Sequence, residues 1–143
     1  MKPPRFITVT LVGVFYTAVG LAFAWFGGSS EHSTVVLWRR LAWIVSAVGF
    51  VAHIAYEHHL RGGSARMTAV QASMAAAIGA FGLAAAANLH GLTVGSANQR
   101  ALRIALLAWP VVVAVPAFIV AMIASALATF AKRHLQNTNG VSQ

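Results

Sequence analysis

The chain has 143 residues, of which 59% are apolar and 8% charged, with a formal net charge of +8. A soluble domain of this size carries about a quarter charged residues, so soluble globular, disordered and fibrous classes are excluded and a polytopic membrane protein is expected. There is no cysteine, which removes disulfide scaffolds, thiolate metal sites, iron–sulfur ligation and cysteine nucleophiles, and the only acids are Glu31 and Glu57.

From the N-terminus, the uncharged run from Phe6 to Phe26 is long enough to cross ~30 Å of hydrocarbon, which predicts a first helix over 6–26. Lys2 and Arg5, this run and Ala22-Phe23-Ala24 together have the layout of a secretory signal. The run is nevertheless as long as a full span, so a retained helix is expected. Leu41–Tyr56 is short by itself. It reaches span length as a helix over 34–59, with Ser33 or Thr34 as N-cap and with Arg39 and Arg40 snorkelling to the interface. A third, alanine-dominated helix is predicted over 67–90, with Asn88 and His90 capping its end and Gly91 following as the C′ residue. The fourth, over 102–131, is longer than a straight crossing needs, and Pro110 and Pro116 predict tilt or a bend. Residues 132–143 read as a polar, frayed tail.

The connections are short, and Gly62-Gly63 marks a tight turn between helices. The expected fold is therefore all-α: one domain, a four-transmembrane-helix up-and-down bundle. With the N-terminus in the cytoplasm, Lys2, Arg5, Arg61, Arg66, Lys132 and Arg133 lie inside, and Arg39, Arg40, Arg100 and Arg103 outside. This bias favours cytoplasmic N- and C-termini in a bacterial inner membrane, and it is small enough to be compatible with dual topology. The basic residues sit at helix ends and form no soluble basic face, so the expected partners are anionic lipid headgroups, other membrane subunits or a second copy, and not nucleic acid.

In lipid, close helix contacts are made by small residues. Gly13, Thr17, Gly20 and Ala24 form such a stripe on the first helix, and Ala42, Ser46, Gly49 and His53 form one on the second. The third helix is small nearly all round and is expected to be central. The valine- and isoleucine-rich fourth is expected to face lipid or another copy.

Two groups of residues are candidates for function. His53 and Glu57 continue the small stripe of the second helix, Arg61 follows one turn on, and a tight turn brings Ser73 and Gln71 of the third helix opposite. An ionisable residue within a membrane segment is a functional hypothesis by default, here a proton or ion relay near the cytoplasmic face. The plainer alternative is a Glu57–Arg61 ion pair with His53 hydrogen-bonded to Ser73 or Gln71. His53 and Glu57 supply two ligands where a catalytic zinc needs three, and His58 and His59 point elsewhere, so no metal is expected. The second group lies on the other side: Trp25, Trp38, Arg39, Arg40, Trp43, His90, Arg100, Arg103 and Trp109. It reads as an aromatic belt with arginines on lipid phosphates or, more sharply, as an Arg–Trp cradle for an anionic headgroup, a quinone or a partner subunit.

His53 and His90 lie at opposite depths, which argues against a haem pair in one chain, and no cofactor is expected. There is no nucleophile elbow, HExxH or phosphate-binding loop, so no catalytic residue is assigned. Three functions fit, in this order: a non-catalytic accessory or assembly subunit of a larger membrane complex; an oligomeric small transporter or channel with a proton-linked His53/Glu57 site; and a cofactor-binding or lipid-modifying membrane protein.

Overall fold

The structure, a computed structural model, describes residues 4–28 and 31–140. Its elements are α1 (Arg5–Gly27), α2 (His32–Ala55), a π-helical turn (Tyr56–Leu60), α3 (Ala65–Thr93) and α4 (Gln99–Gly140). Each helix is long and apolar enough to cross a bilayer, α2 together with its π turn. The starts of α1 and α3 and the ends of α2 and α4 lie at one end of the bundle, called here the Gly62 end. The opposite end carries Gly95.

The helix boundaries differ from the sequence reading where backbone groups decide them. α2 begins at His32 with Glu31 as N-cap, so Ser33 and Thr34 lie inside the first turn and do not cap it. The Glu31 carbonyl accepts from Thr34 and Val35 N–H at 2.9 and 3.0 Å, and its carboxylate sits where the helix dipole favours negative charge. α3 starts at Ala65 because Ser64 accepts from the Met67 N–H at 3.3 Å. It also runs past Gly91, which is buried within the helix. Gly95, at φ +65°, takes the C′ position, and the Ser96 N–H closes the motif on the Gly91 carbonyl at 2.9 Å. Asn88 does not cap α3: its side chain donates to the Ala84 carbonyl at 3.0 Å and to the Leu102 carbonyl of α4, tying the two helices together. α4 is continuous through Pro110 and Pro116 and extends to Gly140, so the expected tail is helical to that point. Lys2, the Arg133 side chain and residues 141–143, which entered the charge and tail readings, lie outside the described residues.

α3 is the axis. It packs on α1 along one side and on α4 along another, and its ten buried residues include six alanines and two glycines. A Cβ added at Gly79 would lie 2.6 Å from Tyr16 Cβ and 3.3 Å from the Gly13 carbonyl oxygen. Thr17 reinforces the seam, donating within α1 to the Gly13 carbonyl at 3.2 Å and across to the Gly79 carbonyl at 3.4 Å. The small stripe of α1 therefore faces α3. The stripe of α2 faces α1, with Gly49 against Phe15 and Tyr16. α2 reaches α3 and α4 through Ile54, which joins Ala69, Ala72 and Ala121 in a small core. Val111, Val112, Val115, Ile119, Val120 and Ile123 of α4 are exposed, an apolar surface of the kind lipid covers.

Candidate buried polar site

At the Gly62 end the chain folds a carboxylate into its interior. Glu57 is 1% exposed and is the largest fully buried side chain among the described residues. It lies on the π-helical turn, where the Arg61 N–H reaches back to the Tyr56 carbonyl at 3.2 Å. Single-turn π segments are rare and recur at functional sites. The turn ends on Gly62 at φ +64°, a conformation open to glycine, and the Gly63 N–H then returns to the Glu57 carbonyl at 3.1 Å.

Arg61 Nη1 stands 3.3 Å from Glu57 Oε1, and its guanidinium lies 5.7 Å from the centre of the Tyr56 ring. The Arg61 side chain is 7% exposed, so this is a buried ion pair, longer than the roughly 2.7–2.9 Å of a tight charge-assisted bond. Such a pair adds little net stability, but leaving either partner alone is strongly destabilising. Thr68, fully buried at the start of α3, sits beside the same backbone: a Cβ on Gly63 would lie 3.1 Å from its Oγ1 and 3.0 Å from the Glu57 carbonyl oxygen.

His53, 4% exposed, is one α-helical turn before Glu57. Neither of its ring nitrogens has a hydrogen-bond partner among the described residues. The expected bonds to Ser73 and Gln71 are not made. Ser73 donates to the Val70 carbonyl at 3.0 Å, and Gln71 turns to Met67 Sδ at 3.7 Å. The reason is that α2 lies on α1 over most of its length, and α3 meets it with Ala69 and Ala72 instead.

Sequence reasoning also missed the part that α4 plays. His58 is not a free interfacial side chain: its Nε2 lies 3.3 Å from Thr129 Oγ1. The Thr129 hydroxyl also donates to the Ser125 carbonyl at 2.9 Å, within its own helix. His58 and His59, with rings 5.1 Å apart, line a cavity of about 130 Å³ with Ser125, whose side chain is fully buried. The available signal was the spacing of Ala121, Ser125 and Thr129 on one face of α4.

Thr8, His53, His58, Thr68 and Ser125, one or more from each helical segment, place buried polar atoms without partners at this same end. Such atoms are costly in an apolar interior, about 1–3 kcal/mol each. Among the described residues no group of three His, Asp or Glu side chains could hold a metal ion.

The second sequence-predicted group divides between two helix pairs. On α1 and α2, Trp38 stacks on Phe26 at 5.2 Å and tilts against Phe23 at 5.8 Å, while Trp25 and Trp43 are 83% and 78% exposed. Arg39 and Arg40 are exposed beside them. On α3 and α4, His90, Arg100, Arg103 and Trp109 are all exposed. Comparison with protein-family models, with curated proteins and with solved structures finds no match to this chain.

Proposed function

We propose that this chain is an integral membrane protein, with both termini cytoplasmic, acting as a non-catalytic accessory or assembly subunit of a larger membrane complex. The observation that carries the reading is the placement of α2. Its 18-residue apolar stretch contains no buried residue, against 39% in α3, and α2 is fixed to α1 along one side and to α3 and α4 near its C-terminal end. A helix so placed keeps most of its surface for lipid or for another chain. The short connections, with no extramembrane domain between the helices, fit a partner-dependent role. Extraction of native membranes into polymer discs tests this. The expected result is a stoichiometric second membrane chain, with faster degradation of this protein when that chain is deleted. Recovery of this chain alone, equally abundant with or without any other, would contradict it.

A second reading, a proton-linked site in an oligomeric transporter or channel, is favoured by the fully buried Glu57 on its π turn beside a buried imidazole. An interfacial anchor would not need such burial. Proton flux into liposomes, measured from pH 5 to 8, should then fall in Glu57→Gln and in His53→Phe. Absence of flux in the wild type would end this reading.

A further inference from the structure

At the opposite end from the polar site, a groove of about 270 Å³ lies between α1 and α2. Its walls are small and apolar: Gly20, Ala24, Gly27, Val35 and Ala42, with Phe23 at the side. One charged side chain lines it, Arg39, which has no ion-pair or hydrogen-bond partner among the described residues. From Gly20 to Gly28 the groove runs ~12 Å along α1 at 1.5 Å per residue, most of the roughly 15 Å of one leaflet's hydrocarbon. Gly27 lies against Val35 and the Cβ of Trp38, and Arg39, the next residue after Trp38, is exposed. Gly20 and Ala42 form the deeper part.

The arrangement is directional, with a guanidinium near the surface and a narrow apolar slot leading inward. We propose that this groove is a binding site for one anionic phospholipid, with the phosphate on Arg39 and one acyl chain between α1 and α2. This rests on the membrane reading above and gives the lipid partner a location. Charge complementarity supports the choice of occupant. Arg40 is also exposed beside Arg39, and a guanidinium meets phosphate oxygens in a two-pronged geometry. Trp25 and Trp43, both strongly exposed on the same two helices, are suited to the boundary between headgroups and chains. A single acyl chain fits a slot with these small apolar walls.

The test uses full-length protein in nanodiscs containing equal amounts of phosphatidylglycerol and phosphatidylcholine, with the lipids retained after release counted by native mass spectrometry. The wild type should retain the anionic lipid over the zwitterionic one by about fivefold, the preference a single interfacial cation supplies. Arg39→Gln should bring the ratio close to one, and Arg39→Lys should keep part of it. Ala24→Phe, which fills the slot without touching the charge, should lose the tightly held lipid altogether. Arg66→Gln, an exposed arginine at the Gly62 end and outside the groove, should behave as wild type. Equal ratios in wild type and Arg39→Gln, or equal losses from Arg39→Gln and Arg66→Gln, would overturn the proposal while leaving the membrane reading intact. Displacement of the lipid by millimolar inorganic phosphate would assign the site to a free anion and overturn it too. Failure of the wild type to enter nanodiscs at all would remove the membrane reading along with this site.

Discussion

α3 and α2 have comparable lengths and are both apolar, yet they are held in the bundle by opposite means. α3 is fixed by what its residues lack. Alanine and glycine let neighbouring backbones approach, and the seam with α1 has no room for a further methyl group at Gly79 or Gly82. α2 rests on α1 through Gly49 and is held near its C-terminal end by Ile54 against Ala69, Ala72 and Ala121 and, on the π turn, by His58 at Thr129 of α4. Its other end meets α1 through Trp38 on Phe23 and Phe26 and leaves a groove beside that contact. Close packing of small residues along its whole length gives α3 a rigid place at the axis, whereas attachment near one end gives a flank that another molecule can complete.

Substitutions should separate these two modes of attachment, and the largest effect is expected at the buried ion pair of the π turn. Arg61→Met strands a buried carboxylate and should cost about 3–5 kcal/mol in thermal melts, with most of the loss recovered when Glu57→Gln is added. A small effect from the single change, or no recovery in the double variant, would show that Glu57 does not depend on Arg61. Gly79→Leu forces α1 away from α3 and should cost about 3 kcal/mol, against less than about 0.5 kcal/mol for Val112→Leu on the exposed face of α4. Equal tolerance would remove α3 from the centre. Gly62→Ala meets no atom within 4 Å but must adopt φ +64°, so about 1–2 kcal/mol of backbone strain should appear alone. The smallest effect is expected for His53→Phe. A buried imidazole without partners can be replaced by an apolar ring at nearly no cost. A loss above about 2 kcal/mol would mean that the imidazole is hydrogen-bonded in the folded protein.

The sequence reading and the structure agree wherever a long-range average decides. Four spans follow from hydropathy, and the central place of α3 follows from small residues such as Ala72, Ala76 and Gly79 on successive turns. Disagreement begins where one backbone group decides. Glu31 takes the N-cap that Ser33 and Thr34 offered, and Gly95 takes the C′ position expected at Gly91, because several suitable residues lay within one turn of each end. The π turn has no signature, since Tyr56–Leu60 contains neither glycine nor proline. Periodicity correctly put His53 and Glu57 on the protein-facing side of α2, but a stripe names a face and not the neighbour that covers it. That is why Ser73 and Gln71 were expected where α1 and the alanines of α3 lie.

The most direct test of the central claim, that α2 is a flank completed by another chain, is site-specific photo-crosslinking in native membranes. A photoreactive residue at Val48 on the exposed side of α2 is compared with one at Ile119 on the exposed side of α4. The account predicts a discrete protein–protein adduct from Val48 and lipid adducts from Ile119. Lipid adducts alone from both positions would contradict it.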